Sequence, residues 1–349
     1  MASLNGSGGG LREMKAALLY GPRDIRLAEV AKPEPGPGEV VVRVRATGIC
    51  GSDLHMYTGD RPADYPQILG HEFAGDVAAV GEGVQGLAPG DRVTAEPNFS
   101  CGACIYCREG LPNLCVNRVG MAINWPGTLA EYARVPARFV WRIPDGMSYR
   151  QGALVEPLMV AVHAVRRGRV RVGDTVAVLG CGAIGLLTVA AAKVAGARVF
   201  AVDIVPEKLA LARQMGAEAT FNGRDADALE RIRALTPAGQ GPLVVFETAG
   251  VAATVQQAVE LVRGGGRIVL VGLSTRPAPV VPMTVARREL EILGSFIYYA
   301  GEFDIGIRLI ASGAVDAEAL VGMTVGLDQA DAAFHAAESG AVAKAMVEP

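Results

Sequence analysis

Long apolar segments are absent from this 349-residue chain. The longest candidate, residues 175–192, is interrupted by three glycines and falls short of the run of about 18 apolar residues that a membrane-spanning helix needs. An excess of basic charge is also missing, because the formal net charge is -3 and the densest cationic stretch, residues 166–171, is short. We therefore expect neither membrane insertion nor nucleic-acid binding.

Cysteine is scarce, with six residues, and the N-terminus lacks the features of an export signal. The first ten residues are rich in Gly and Ser, without the basic and apolar regions of a signal peptide. We interpret residues 1–13 as a flexible leader and expect a cytoplasmic protein with reduced thiols. Clustered cysteines in such a protein indicate a metal before disulfides.

The two halves of the chain differ in the spacing of their apolar residues. Short runs rich in Val and Ala, such as 40–46, 72–80 and 92–96, lie between Gly and Pro turns and predict an irregular β-barrel. From about Val170, apolar strands alternate with helical stretches, which predicts a doubly wound parallel sheet of about six strands. The expected fold class is α/β, with two domains.

The last fifty or so residues do not continue the alternation of strands and helices. They carry two predicted helices, Asp304–Ala311, which ends at Gly313, and Gln329–Glu338, which follows a capping Asp328. The pattern is therefore compatible with packing of this region against the first domain.

A glycine-rich loop, Gly180-Cys181-Gly182-Ala183-Ile184-Gly185, follows an apolar strand directly and opens a helix. The first Gly permits a tight turn, the second lets a pyrophosphate approach the backbone, and the third lets the helix pack on the strand. This context predicts a dinucleotide site. Its expected contacts are Gly180, Gly182, Ala183, Ile184, Gly185, Asp203, Thr248, Val271 and Gly272.

Asp203 closes the second strand, 18 residues after Gly185. A carboxylate there accepts hydrogen bonds from the ribose hydroxyls and repels a 2′-phosphate, and neither Ile204 nor Val205 offers a cation to hold that phosphate. NAD is therefore favoured over NADP. The alternative is that Asp203 only caps the helix that begins near Pro206.

Four cysteines lie within 15 residues in the pattern Cys101-x2-Cys104-x2-Cys107-x7-Cys115. This spacing predicts a tetrahedral structural zinc, closed to substrate, that clamps a loop. An iron-sulfur cluster is the rival, because the first three cysteines match a ferredoxin-like spacing. The fourth, however, is not three residues further on, and no Pro follows it.

A second group of metal-ligating residues is dispersed along the chain. It comprises Cys50, His71, Glu72 and Glu156. Spacing alone cannot join these residues, since a lone Cys is more often part of the core and a lone His more often a surface group.

The order of the motifs resembles that of the zinc-containing medium-chain dehydrogenases from Met14 onward. The motifs are Gly48–His55, Gly70–Glu72, the four-cysteine loop, the glycine loop and Asp203. Within that family, Glu156–Leu158, Val162–Ala164 and Arg166–Gly168 most resemble the sorbitol and related polyol dehydrogenases. The four-cysteine loop is similar to that of the microbial polyol, butanediol and threonine enzymes.

The resemblance implies a GroES-like, β-rich catalytic domain and a Rossmann NAD-binding domain. The first would comprise residues 14–160 and 298–349, and the second residues 161–297. The resemblance also implies a homo-oligomer, either a dimer or a tetramer, two zinc ions per chain, and a small-molecule alcohol as the substrate.

Roles for the dispersed residues follow only from this resemblance. Cys50 and His71 would hold a catalytic zinc, with Glu72 and Glu156 ligating it directly or through water. Asp53 would orient the zinc-bound His, while Ser52 and His55 would relay the proton of the alcohol.

The expected reaction is hydride transfer from a secondary alcohol, diol or polyol to NAD. We expect the pocket at the carboxyl ends of the strands, between the domains, lined by Ser52, Tyr57, the zinc ligands and residues 296–299. Ile297 stands where polyol dehydrogenases often carry Arg, so short diols should rival sorbitol. The alternatives are an L-threonine 3-dehydrogenase, a zinc-free quinone reductase and a non-catalytic NAD-binding protein.

Overall fold

A computed structural model describes residues 12–274 and 276–349. Most of the expected leader, residues 1–11, lies outside the described residues. Across the part of the chain that is described, every helix is too short or too polar to cross a bilayer.

The secondary structure alternates between short strands and short helices. The strands are β1 Glu13–Gly21, β2 Asp24–Ala31, β3 Glu39–Gly48, β4 Gln67–Ile68, β5 Glu72–Val80, β6 Arg92–Ala95, β7 Asn98–Phe99, β8 Val119–Gly120, β9 Tyr132–Pro136, β10 Val140–Arg142, β11 Thr175–Leu179, β12 Arg198–Asp203, β13 Ala219–Asn222, β14 Val244–Glu247, β15 Arg267–Leu270, β16 Glu291–Gly294, β17 Val321–Val325 and β18 Lys344–Val347. The α-helices are α1 Gly51–Thr58, α2 Ile105–Arg108, α3 Tyr149–Ala153, α4 Val155–Arg167, α5 Ala183–Val194, α6 Pro206–Gln214, α7 Ala228–Ala234, α8 Ala252–Leu261, α9 Pro282–Arg287, α10 Phe303–Ala311 and α11 Ala330–Glu338. Short 3₁₀ helices cover Pro112–Leu114, Ala137–Phe139, Pro237–Gly239, Ala300–Glu302, Ala317–Leu320 and Leu327–Gln329.

The chain divides into two compact units. The discontinuous unit comprises Met1–Glu156 and Val321–Pro349, and the central unit comprises Pro157–Leu320. The predicted catalytic domain, residues 14–160 and 298–349, differs from the discontinuous unit at residues 157–160 and 298–320, which belong to the central unit. The physical reason is local packing, since the 3₁₀ helix Ala317–Leu320 lies against α5.

The discontinuous unit is built on a seven-stranded sheet. Its order is β10-β6-β5-β3-β18-β17, with β9 also paired to β3. β3 and β5 pair antiparallel from Val40 and Val80 to Gly48 and Glu72, and β18 joins the other edge of β3 at Gly48. The C-terminal strand therefore lies beside the segment that leads to Cys50.

Its core follows the two-residue period of the strands. Val40, Val42 and Val44 of β3 are buried with Phe73 and Val77 of β5. Burial of each such side chain contributes about 1.5–3 kcal/mol. This core supports the ends of β3 and β5, from which the candidate site residues extend.

The central unit contains a six-stranded parallel sheet in the order β13-β12-β11-β14-β15-β16. Every residue of β11 is buried, as expected for a parallel strand covered on both faces. The strand order reverses between β11 and β14, and such a reversal is where doubly wound sheets bind nucleotides. The predicted doubly wound sheet of about six strands is therefore confirmed.

A buried ion pair joins β18 to β5. Lys344 Nζ lies 2.7 and 2.8 Å from the carboxylate oxygens of Glu72 and 3.0 Å from the carbonyl oxygen of Ile49. Burial alone lowers the pKa of Lys344, but the charges of Glu72 and Cys50 outweigh it and raise that pKa. Lys344 is therefore charged at neutral pH, with its donors engaged.

The substitution Lys344→Met should destabilise the protein strongly. Removing one partner of a buried ion pair leaves the other charge uncompensated, which costs about 3–5 kcal/mol. Urea unfolding should give a lower midpoint for this variant, whereas Lys15→Met, at an exposed position of β1, should unfold like the wild type. Equal midpoints for Lys344→Met and the wild type would contradict a stabilising role for the pair.

Candidate active site

Three potential metal ligands converge at the ends of β3 and β5. The ligand atoms of Cys50, His71 and Glu72 all lie within 4.8 Å of one another. Cys50 precedes α1, and Glu72 opens β5 immediately after His71. Gly70 has a φ of +87°, and a Cβ there would lie 2.9 Å from Thr128 Oγ1, so the turn that presents His71 favours glycine.

Asp53 holds this arrangement from inside α1. Its buried carboxylate accepts hydrogen bonds from the backbone N–H groups of Cys50, at 3.1 Å, and Gly70, at 3.2 Å. The same carboxylate lies 3.3 Å from Nδ1 of His71. A carboxylate on Nδ1 fixes the orientation of an imidazole and leaves its other nitrogen to face a metal.

The charges of this group support one another. Burial raises the pKa of Asp53, but His71 and the two backbone N–H groups reverse the effect and lower it. Burial also lowers the pKa of His71, while Asp53 and Cys50 outweigh it and raise that pKa well above its ordinary value. The surroundings of the His71 ring therefore favour a cation, whether a proton or a metal ion.

Glu72 and Glu156 occupy different positions relative to this group. Glu72 belongs to it, but both of its oxygens also contact Lys344. A Cβ at Gly48 would lie 2.2 Å from Glu72 Oε2, so only glycine leaves space for this carboxylate. Glu156 is buried in the first turn of α4 and is not among the donor atoms within 4.8 Å.

Ser52 and His55 both lie on α1, three residues apart, and therefore on one side of the helix. Ser52 is partly buried. His55 is exposed, and its Nδ1 lies 3.8 Å from Asp60 Oδ2. The helix thus places a hydroxyl and an imidazole in sequence from the interior towards solvent.

Tyr57 does not line a pocket, contrary to the expectation from its sequence position. Its ring is fully buried against Phe334, with centroids 4.9 Å apart. Its hydroxyl donates to Asp331 Oδ1 at 3.0 Å and lies 3.2 Å from His335 Nε2. Burial and the Asp331 carboxylate raise the pKa of Tyr57. Tyr57 therefore attaches α1 to α11 as part of the core.

The four-cysteine loop forms a second convergent group. The sulfur atoms of Cys101, Cys104, Cys107 and Cys115 lie within 4.8 Å of one another, and all four are free thiols. Hydrogen bonds from the backbone N–H groups of Ala103 and Cys104 lower the pKa of Cys101 to about 6. Desolvation and the hydrogen bond with Cys104 raise the pKa of Cys107 to about 11, so the four thiols are not equally acidic. Four converging sulfurs are the ligand set of a tetrahedral structural zinc, and the residues fit that ion.

The glycine loop has the geometry that its three glycines predicted. Gly180 has a φ of +100°, and a Cβ at Gly185 would lie 1.9 Å from the carbonyl oxygen of Gly180. Gly182 precedes α5, and a Cβ there would meet nothing within 4 Å. The first and third glycines therefore allow close packing, whereas the second leaves open space at the helix N-terminus, where a pyrophosphate fits.

Asp203 ties the end of β12 to this loop. Its Oδ2 accepts from the backbone N–H of Cys181 at 2.6 Å, and its Oδ1 accepts from Ile204 at 2.8 Å and Val205 at 2.9 Å. The residue that caps α6 is Val205, so the alternative assignment of Asp203 as a helix cap does not apply. Burial raises the pKa of Cys181 to about 12, so that thiol stays protonated at neutral pH.

The other predicted coenzyme contacts lie at the same edge of the sheet. Thr248 Oγ1 donates to the carbonyl oxygens of Leu179, at 3.0 Å, and Gly180, at 2.8 Å. The backbone N–H groups of Val271 and Gly272 both donate to the carbonyl oxygen of Glu247 at 2.9 Å. Ala183 and Ile184 form the first turn of α5. The carboxyl ends of β11, β14 and β15 therefore carry this set together.

Sequence reasoning missed Lys344, whose ammonium group contacts the Glu72 carboxylate. The sequence feature that pointed to a buried charge was one Lys directly before the apolar residues of the last strand, Ala345–Val347. A charged residue in a buried strand requires a partner of opposite charge. That partner could not be identified from the sequence, because Glu72 lies 272 positions away.

Two family models match the chain. One is described as "Alcohol dehydrogenase GroES-like domain" and covers residues 36–145, and the other is described as "Zinc-binding dehydrogenase" and covers residues 183–312. The chain is 41% identical over 333 residues to sorbitol dehydrogenase from Bacillus subtilis (strain 168), with 93% of this chain and 94% of that protein covered.

Solved structures agree with the family models. A dehydrogenase from Sinorhizobium meliloti 1021, described as zinc-binding and bound to NADP, matches with a TM-score of 0.92 and 37% identity, covering 97% of this chain and 100% of that one. The 2R,3R-butanediol dehydrogenase from Bacillus subtilis matches with a TM-score of 0.88 and 34% identity, covering 96% and 99%. Together with the site geometry, these matches show that the chain belongs to the zinc-binding dehydrogenase family with an alcohol dehydrogenase GroES-like domain.

Proposed function

We propose that this protein is a zinc-dependent dehydrogenase that oxidises a secondary alcohol, diol or polyol with NAD. The convergence of Cys50, His71 and Glu72, with Asp53 on the far side of the His71 ring, carries the proposal. A thiolate, an imidazole and a carboxylate form a donor set typical of zinc. The sorbitol and butanediol dehydrogenases among the similar proteins support the substrate class.

Cys50, His71 and a carboxylate would hold the zinc, which would supply Lewis acidity towards the hydroxyl oxygen of the alcohol. The protein's part is to hold the ligands in place. Asp53 orients His71, and Lys344, which contacts both oxygens of Glu72, would compete with the metal for that carboxylate. Glu156 is buried and adds negative charge near Lys344, so it serves as the second candidate carboxylate.

Ser52 and His55 carry the proton. Ser52 would accept the proton of the alcohol hydroxyl as it releases its own proton towards His55, which is exposed beyond it on α1 and would pass a proton to solvent. This order follows from their exposure, because a relay must run from the enclosed alcohol to water.

Bound NAD would supply the acceptor for the hydride of the alcohol. The protein binds its pyrophosphate at the open N-terminus of α5 and its ribose at Asp203. Three backbone N–H groups already bond to Asp203, and an ionised carboxylate has about four acceptor positions, so one remains for a ribose hydroxyl. Ile204 and Val205 provide no positive charge for a 2′-phosphate.

The protein also forms a homo-oligomer in this proposal. β16 lies at the edge of the six-stranded sheet, and Ile292 on it is exposed. Val281 and Met283, before and within α9 of the same unit, are 59% and 63% exposed. A second copy that covers this edge would remove it from water.

Two serine substitutions should separate the two zinc ions. Cys104→Ser should reduce zinc from about two ions per chain to about one and lower the melting temperature, because a structural zinc stabilises its loop. Cys50→Ser should also lose one ion, yet it should abolish alcohol oxidation while NADH still binds. Metal analysis, calorimetry and NADH titration would check this. Retention of wild-type turnover by Cys50→Ser, or a coloured iron-containing protein, would contradict the assignment.

Asp203 should determine the coenzyme preference through its charge. Asp203→Asn keeps one acceptor oxygen, which can still serve the N–H of Cys181, and loses the acceptor for Ile204 and Val205. Because it also removes the repulsion of a 2′-phosphate, the ratio of kcat/KM for NAD over NADP should fall by about tenfold or more. Asp174→Asn, which changes a carboxylate that bonds only a turn outside this loop, should leave the ratio unchanged. A wild-type enzyme that prefers NADP would disprove the expectation.

The enzyme should oxidise a secondary alcohol or a short vicinal diol at least as readily as it oxidises sorbitol. A long polyol needs several buried donors, and Ile297 supplies none. Ile297→Arg should raise kcat/KM for sorbitol relative to 2,3-butanediol, whereas Val172→Arg, at an exposed position of the same unit, should not. NAD reduction across polyols, diols, threonine and simple alcohols would check this. A clear wild-type preference for sorbitol or xylitol would refute the prediction.

A further inference from the structure

Ile297 adopts a backbone conformation that its side chain disfavours. Its φ is +56°, in the left-handed region, where a β-branched residue is an outlier. Such a conformation costs free energy and persists only where the surroundings impose it. The segment around Ile297, residues 295–299, must therefore be held from both sides.

The anchors before Ile297 are backbone contacts. The N–H of Ser295 donates to the carbonyl oxygen of Leu270 at 2.9 Å, which continues the pairing of β16 with β15. Arg167, at the end of α4, donates from Nε to the carbonyl oxygen of Gly294 at 3.2 Å. The segment therefore leaves the sheet from a fixed point.

The anchors after Ile297 converge on one buried carboxylate. Glu302 is 2% exposed, and its Oε2 accepts from the backbone N–H of Tyr299 at 2.8 Å and from Nδ1 of His163 at 3.0 Å. Its Oε1 lies 3.1 Å from a guanidinium nitrogen of Arg166. The ring of His163 meets that of Tyr299 edge to face, with centroids 4.6 Å apart. We call His163, Arg166 and Glu302 the Glu302 cluster.

The position of the segment in the sheet relates it to the coenzyme. Asp203, at the end of β12, marks the adenosine side of the glycine loop, so the nicotinamide must extend the other way, over β14, β15 and β16. β16 is three strands from β11, which is roughly 14 Å at the usual strand spacing. Residues 295–299 leave the carboxyl end of β16 and therefore lie on the nicotinamide side.

We propose that the Glu302 cluster is a positioning unit that imposes the left-handed turn at Ile297 and so shapes the binding surface for the alcohol beside the nicotinamide. This inference rests on the proposed function, since it assigns a role in alcohol binding. His163 and Glu302 act through Tyr299 and Ile297 and take no part in hydride or proton transfer. Their loss changes where the alcohol sits, and not how the coenzyme binds.

The test measures the KM for the alcohol, kcat and the NADH dissociation constant in Glu302→Gln and His163→Gln. Gln at position 302 has nearly the size of Glu but lacks the charge that holds Arg166 and His163. Both variants should raise the KM for the alcohol on the order of tenfold, with the NADH constant within about twofold of wild type. Glu218→Gln removes an exposed ion pair with Arg198 in the same unit and should change none of these values.

A second variant separates positioning from general stability. Glycine enters the left-handed region without strain. In an Ile297→Gly protein, the turn at position 297 therefore depends less on the contacts that hold the segment. The effect of Glu302→Gln on the alcohol KM should therefore shrink to about twofold or less when both proteins carry Ile297→Gly. A role limited to stability would give the same ratio in both backgrounds.

The outcomes distinguish this inference from the function on which it rests. If none of the alcohols tested supports NAD reduction by the wild-type enzyme, the proposed function is overturned, and this inference with it. An active wild type whose Glu302→Gln and His163→Gln variants keep the wild-type KM, or show the same ratio with Gly at position 297, overturns this inference alone. If Glu302→Gln does not fold, Arg166→Gln replaces it, because Arg166 is 56% exposed and its loss is tolerable for folding.

Discussion

The buried pair of Glu72 and Lys344 organises the discontinuous unit. A carboxylate without solvent access requires a cation, and here β18 supplies it from the opposite side of β3. Gly48 has no side chain because Glu72 occupies that space. One electrostatic requirement thus determines a glycine in β3, a lysine in β18 and the position of the strand that follows His71.

The same pair influences how strongly the carboxylate of Glu72 could bind a metal ion in the proposed site. A carboxylate shared between an ammonium group and a metal ion has two competing partners of the same sign. If Glu72 is the carboxylate that ligates the metal, the strength of that bond depends on how firmly Lys344 retains Glu72. Asp53 has no such competition, because both backbone N–H groups and the His71 ring direct their hydrogens at it. In the proposed site the imidazole would therefore be the fixed ligand and the carboxylate the variable one.

Short motifs and regular periods were predictable from the sequence, and long-range partners were not. The glycine loop, the four cysteines and the six-stranded sheet follow from local spacing, and the helix expected at Asp304–Ala311 is observed at Phe303–Ala311. His71 and Cys50 could be joined only through family resemblance. Lys344, Glu302 and the burial of Tyr57 depend on contacts between residues more than 100 positions apart, for which the sequence carries no periodic signal. The assignment of residues 298–320 to the central unit likewise depends on packing against α5.

The return of β18 to the edge of β3 has a consequence for the order of folding. During synthesis, Glu72 emerges 272 residues before the lysine that neutralises it, so the first unit cannot bury this carboxylate stably until the end of the chain is available. The central unit has no such dependence, since its parallel strands follow one another within Thr175–Gly294. A nascent chain should therefore complete its central unit first. Until the last strand arrives, Cys50 and His71 would stay on an unfinished sheet, exposed to chaperones and to free metal.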